Sequence, residues 1–181
     1  MSKFPGDLRI VGEFVNTREI QPDLDDWATP EQLRAWLVDH GLIEQDAQVG
    51  PSELSRADGV REALRVLALS NNGADVDVRA ATGTLNDVAG AIGFHLRFST
   101  EGADLAPTGA GFERALGRVV AIVAEAMTTG TWDRFKTCAN DECQWVFYDN
   151  ARNHSRRWCS MEVCGNRVKA RSFRERQSHA P

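Results

Sequence analysis

The chain has 181 residues, 42% hydrophobic and 26% charged, proportions that argue against wholesale disorder. No apolar run reaches the ~20 residues a bilayer span needs, and residues 1–7 lack the apolar core of a secretion signal, so the expectation is a cytoplasmic protein with no membrane partner. The net charge of −5 is unevenly spread: residues 132–181 carry 10 basic and 6 acidic side chains, whereas 1–131 carry 11 and 20, which is poorly suited to general coating of nucleic acid but can still place one basic face on DNA.

Leu8–Phe14 alternates partially and reads as a short strand or extended lead-in, with Asn16 and Thr17 as a turn or helix cap. Thr29-Pro30-Glu31-Gln32 is a helix start: Thr29 caps, Pro30 fits the first turn and Gln32 completes a capping box. Leu33, Trp36 and Leu37 give this helix an apolar face, and Gly41 stops it. A second helix begins near Ser52, with Val60, Leu64 and Leu67 at helical spacing, although Gly59 weakens its first half. A third spans about 76–88, with Val78, Ala81, Leu85 and Val88 on one side. The period then changes: Phe94, Leu96 and Phe98 alternate with His95, Arg97 and Ser99 as in a half-buried strand, and 103–106 can pair back as a hairpin. The clearest helix is 111–129, where Phe112, Leu116, Val119, Val120, Val123 and Met127 form a broad stripe ended by Gly130.

The fold class expected is mainly α with a small β element. A helical N-terminal domain, 1–130, precedes a small zinc-bound ββα-like module, 131–181, and the short link between them keeps the module close to the body.

All four cysteines fall in that module, as Cys138-x4-Cys143-x15-Cys159-x4-Cys164. A reduced compartment disfavours disulfides. Four thiolates in two matched pairs supply the tetrahedral soft donor set of one structural Zn2+, leaving no open position for catalysis. Unrelated buried cysteines would not pair this way, and a redox dithiol shows a two-residue spacing beside a βαβ pattern. His154 is an alternative ligand in a polar loop. Trp145-Val146-Phe147-Tyr148 is strand-like, and the module's small apolar content makes metal capture part of its folding.

Arg156-Arg157-Trp158-Cys159-Ser160-Met161, followed by Cys164-Gly165-Asn166-Arg167, resembles the CGNR zinc finger of bacterial proteins. Phe147-Tyr148-Asp149 and Arg152-Asn153 look like its hairpin and loop, while Ala151 replaces a small hydroxyl residue that the family often carries. Glu13-Phe14-Val15-Asn16-Thr17 resembles the signature of the ABATE domain usually found before that finger. The resemblance implies a stress-responsive transcription regulator.

Beyond Gly165, a helix of about 167–176 places Arg167, Arg171 and Arg174 on one face and Lys169 with Arg176 on a second stripe, with Val168 and Phe173 available to pack inward. Arg156 and Arg157 can join this surface. Arg156, Arg157, Arg167, Lys169, Arg171 and Arg174 are therefore the candidate DNA contacts. The competing reading is a solvated face with Arg167 or Arg171 paired to acidic groups, or Arg157 or Arg167 clamping the knuckle carbonyls. In the front domain, Asn16, Thr17, His95 and Arg97 are candidates for a small-molecule effector pocket, against the plainer role of Asn16 and Thr17 in capping. No nucleophile–base pair, phosphate loop or paired-carboxylate site is visible, so the protein reads as a non-enzyme that senses or forms a homodimer. A protein-interaction adaptor, a small-molecule binder without DNA binding and an enzyme of the front-domain helices stand as alternatives.

Overall fold

Residues expected as a strand or lead-in form helix α1 (Leu8–Asn16). Leu8, Val11, Phe14 and Val15 are spaced by three and four, and burying all of them against the helical body outweighs the partial alternation. The computed structural model describes residues 3–100 and 102–178. After α1, a two-stranded ribbon, β1 (Arg18–Glu19) and β2 (Leu24–Asp25), leads into α2 (Pro30–Asp39). The capping box forms as expected: Thr29 Oγ1 accepts from Gln32 N at 3.3 Å, and Thr29 N donates to Gln32 Oε1 at 3.1 Å. Gly41 follows with φ +64°, the left-handed conformation that ends the turn.

Helix α3 (Pro51–Asn71) is the central element and buries Val60, Leu64 and Leu67. Arg61 and Arg65 are buried on it too, a pattern the apolar periodicity does not predict. Helix α4 (Arg79–Ile92) starts and ends later than expected, because Gly93, at φ +71°, breaks it and Gly90 does not. Strands β3 (Phe94–Ser99) and β4 (Gly102–Pro107) form an antiparallel hairpin with Leu96 opposite Leu105. The expected strand is present, but its half-burial is not: Leu96 is 61% and Phe98 78% exposed. Alternation marks two different faces without supplying anything to cover either. Helix α5 (Gly111–Thr128) packs back along α1, α4 and β4, burying Phe112, Leu116, Val119 and Val123.

The chain then makes a turn at Trp132–Arg134 and a short antiparallel pair, β5 (Phe135–Thr137) with β6 (Val146–Tyr148). Phe135, Val146 and Tyr148 belong to the same hydrophobic core as α1, α3 and α5. Phe4 reaches over this core, its ring 5.5 Å from that of Phe135, and lies where a side chain at position 12 would be, so Gly12 makes room for it. A one-turn π segment (Met161–Gly165) continues into α6 (Asn166–Ser178). Small antiparallel sheets on a predominantly helical chain agree with the expected fold class.

Candidate zinc centre and basic helix

Two tight turns deliver the cysteines. After β5, the Cys143 and Gln144 amides donate to the Asn140 carbonyl at 2.9 and 3.1 Å, folding the first knuckle back to β6. The second knuckle is capped by Ser160, whose Oγ accepts from Val163 N at 3.3 Å. Gly165 has no Cβ where the Met161 sulfur lies, which lets the π turn close beside Cys164.

The four Sγ atoms of Cys138, Cys143, Cys159 and Cys164 all lie within 4.8 Å of one another. The Cys143–Cys159 and Cys159–Cys164 sulfur pairs are 3.6 Å apart, far longer than the ~2.05 Å of a disulfide. Tetrahedral Zn–S bonds of about 2.3 Å imply sulfur–sulfur edges of about 3.8 Å, so the donor set fits the ion. Its electrostatics agree. Hydrogen bonds from Cys143 and Cys159 draw the Cys138 thiol far below its ordinary value, whereas bonding to Cys138 pushes Cys143 up to about 12 and Cys159 higher still. Four crowded sulfurs cannot all ionise unaided, and a dication removes that conflict. Backbone N–H groups of Asn140 and Cys159 point at the Cys138 sulfur, and Asn140 Nδ2 is 3.9 Å from that of Cys164. With four thiolates the shell is complete, so the zinc is structural. His154 is not in the cluster: it is exposed, and its carbonyl accepts from Lys136 Nζ.

Arg156 is bonded into the module. Its Nε donates to the Trp158 carbonyl at 2.8 Å, its Nη2 donates to the Cys159 carbonyl, and the guanidinium sits 4.7 Å above the Phe147 ring. It thus clamps the knuckle carbonyls, the role considered for Arg157 or Arg167. Arg157 is exposed, near the Trp158 ring. On α6, Arg171 pairs with Asp141 at 2.9 Å and Glu142 at 3.4 Å. Arg167, Lys169, Arg174 and Arg176 are exposed and have no ion-pair partner among the described residues. Phe173 does not pack inward: it is 54% exposed, while Val168, Arg171 and Ser172 are half-buried on the side where Arg171 meets the first knuckle.

The front-domain candidates do not converge. His95 and Arg97 sit on the exposed β3, where Arg97 pairs with Asp104 across the hairpin at 2.8 Å. Thr17 donates from Oγ1 to the Phe14 carbonyl at 2.8 Å and accepts from Arg61 Nη1 at 3.1 Å. Asn16 reaches β6 instead: its Nδ2 donates to the Val146 carbonyl at 3.0 Å, and its Oδ1 accepts the Val146 N–H at 2.8 Å. The side-chain amide therefore imitates a neighbouring strand. It also borders a cleft of about 1070 Å³ between the front helices and the zinc module, to which Trp36, His40, Trp145, Val163 and Arg167 contribute, but His95 and Arg97 do not.

Residues that sequence reasoning missed complete the joint. Arg65, 2% exposed, donates to the carbonyls of Gln144 and Val15 at 2.8 Å each and of Arg18 at 3.2 Å. Asn71 Nδ2 holds the Trp132 and Phe135 carbonyls, and Asn72 Nδ2 holds those of Thr137 and Arg157. A buried pair, Lys136 and Asp149 at 2.8 Å, fixes the loop after β6, with Asp149 also accepting from the backbone of Ala151 and Arg156. Burial pushes the Asp149 carboxyl up, but these donors, Lys136 foremost, outweigh it and hold the group below its ordinary value. The signal available in sequence was polar residues inside apolar stripes: Arg61 and Arg65 flank Leu64.

Comparison with known families finds two matches along the chain. A model described as "Putative stress-induced transcription regulator", ABATE, matches residues 8–130. The chain belongs to the ABATE family. The CGNR zinc finger model matches residues 134–177, spanning β5, both knuckles and most of α6. No curated protein matches the chain. In this ABATE–CGNR protein the matched finger contains the four-sulfur cluster. The signature Asn16 of the matched front domain is the residue that bonds the finger's own β6. Both families are of regulator or zinc-finger type. Among the described residues no helix is long and apolar enough to cross a membrane.

Proposed function

We propose that this ABATE–CGNR protein is a non-enzymatic, cytoplasmic transcription regulator that binds DNA through α6. Its working parts are a front domain, 1–130, and a zinc module, 131–181. The observation that carries the reading is the set of exposed cations on a helix fixed at its base by the metal, Arg167, Lys169, Arg174 and Arg176, none of which has an ion-pair partner among the described residues. Arg157 joins them on the exposed side. Arg156 and Arg171 do not, because carbonyls and carboxylates already occupy their guanidinium groups.

The cleft beside Asn16 is the proposed effector site, since its walls belong to both parts and its half-buried Trp36 and Trp145 offer apolar surface. A homodimer through the bare face of the β3–β4 hairpin is the proposed assembly, supported by exposed Leu96, Phe98 and Leu105.

One phosphate contact for each of the four α6 cations predicts a logarithmic salt slope of about −3 to −4 for duplex DNA, steeper by about one if Arg157 adds a fifth. The test is a titration of zinc-loaded full-length protein against mixed-sequence duplex at several salt concentrations. Binding that is absent, or indifferent to salt, overturns the reading and leaves the adaptor alternative in its place.

A further inference from the structure

The exposure pattern of α6 contains more than a basic face. Successive residues turn by about 100°, so half-buried Val168, Arg171 and Ser172 mark the side toward the first knuckle, and the opposite line carries Ala170, Phe173 and Gln177. All three are exposed, and Phe173, at 54%, is a large apolar ring held in water. Arg167 and Arg174 lie on one side of this ridge, Lys169 and Arg176 on the other, about a quarter turn away.

We propose that Ala170, Phe173 and Gln177 form a base-reading ridge for the major groove of duplex DNA, selective for adjacent A·T pairs. The inference rests on the DNA-binding reading above and adds its specificity. A ridge with cations on both sides matches a groove with a phosphate wall on each side, and a helix is the element that fits the ~12 Å major groove. An apolar ring and a methyl group make contacts with the thymine C5-methyl, and a Gln amide pairs with adenine N6 and N7. No ridge residue is a cation that would favour guanine. Charge also selects against a purely apolar protein partner: exposed guanidinium and ammonium groups bracket the ring, while the carboxylates of Asp141 and Glu142 are drawn to Arg171 on the far side of the helix.

The experiment is selection of bound duplexes from a random pool with the zinc-loaded full-length protein, repeated with Phe173→Ala, Gln177→Ala and the double variant Arg174→Gln, Arg176→Gln. All four positions are exposed, and unchanged circular dichroism and zinc content confirm folding. Wild type is expected to enrich a site with adjacent A·T pairs. Gln177→Ala should lose its adenine preference by about 10- to 100-fold at one position. Replacing thymine by uracil in the selected site, which removes only the C5-methyl, should weaken wild type but not Phe173→Ala. The double variant should instead bind every sequence more weakly and lower the salt slope by about two.

If wild type binds no duplex, the DNA-binding reading itself fails. If it binds duplex DNA with preferences that Phe173→Ala and Gln177→Ala leave intact, or favours single strands, the ridge alone is wrong. Loss of a protein partner on Phe173→Ala with unchanged DNA selection also overturns it.

Discussion

Replacing Asn16 with Ala is the sharpest test of how the two parts are joined. Asn16 is the last residue of α1, and its amide supplies both partners of the Val146 peptide, at 2.8 and 3.0 Å. Val146 is 0% exposed, and its opposite edge already faces β5. Alanine would leave one N–H and one C=O buried without partners, each costing about 1–3 kcal/mol, so the expected loss is roughly 2–5 kcal/mol. In a chain of this size, 1 kcal/mol moves Tm by about 2–4 °C, which gives a drop of roughly 4–20 °C. Asn16→Asp should not rescue: it keeps an acceptor for the N–H but sets a carboxylate oxygen against the Val146 carbonyl. The assay is urea and thermal unfolding of zinc-saturated protein, with hydrogen exchange at the Val146 amide as the local readout. If Asn16→Ala melts within about 1 °C of wild type and protects the Val146 amide equally, the clamp carries none of the stability assigned to it.

Arg65→Met keeps the stem of the side chain but strands the carbonyls of Val15, Arg18 and Gln144. It should cost about 3 kcal/mol or more by urea unfolding, and a neutral result would remove Arg65 from the joint. Asp25 is held below its ordinary pKa because its bonds from Arg61, the Trp27 amide and Arg18 outweigh the upward push of burial. A lowered folded pKa means that its contribution is complete above the unfolded value of about 4 and lost as pH falls through the folded one. Asp25→Asn should therefore be destabilised by about 3 kcal/mol at neutral pH, with the gap from wild type closing in acid. A gap that stays constant below pH ~4 contradicts this. Cys159→Ser, or chelation of zinc, should release the knuckles and α6 while β5 and β6 stay packed in the common core. Exchange as fast at Tyr148 as at Cys164 would show that the hairpin depends on the metal.

Some of this was legible in the sequence because the relevant physics is local. Two x4 cysteine pairs fix a metal site whatever the rest of the fold does, and the sulfurs do converge. Thr29 and Gln32 encode their cap within four residues. The joint was not legible, because Asn16 and Val146 are 130 positions apart and the bonds of Arg65, Asn71 and Asn72 run to backbone carbonyls, which carry no sequence identity. Helix α1 was misread because Leu8 and Ile10 mimic a strand, while its buried set, Leu8, Val11 and Val15, needs the body against which it packs. Phe173 shows the converse: an apolar residue at helical spacing signals an inner face only if something covers it, and the half-buried side of α6 runs along Val168 and Ser172 instead. The four effector candidates separated for a related reason, since alternation placed His95 and Arg97 on a common face of β3 without saying where the hairpin points.

The joint also limits how an effector in the proposed cleft could regulate DNA binding. A ligand shifts an equilibrium only by its difference in affinity for the two states. Releasing the zinc module as a free arm would break the Asn16, Arg65, Asn71 and Asn72 bonds together and uncover Phe135, Val146 and Tyr148 from the shared core. With each buried group costing on the order of 1–3 kcal/mol to strand, the sum exceeds the differential of roughly 5.5 kcal/mol needed to swing a population from 1:99 to 99:1. Regulation by swinging is therefore the expensive route. Arg167 supplies a cheaper one, since it lines the cleft at the first turn of α6 while Arg174 stands on the same flank two turns further along. A ligand that engages Arg167 withdraws one cation from the DNA-facing flank without opening the joint, and its effect should appear as a salt slope smaller by about one unit, with the melting of the front domain unchanged or raised.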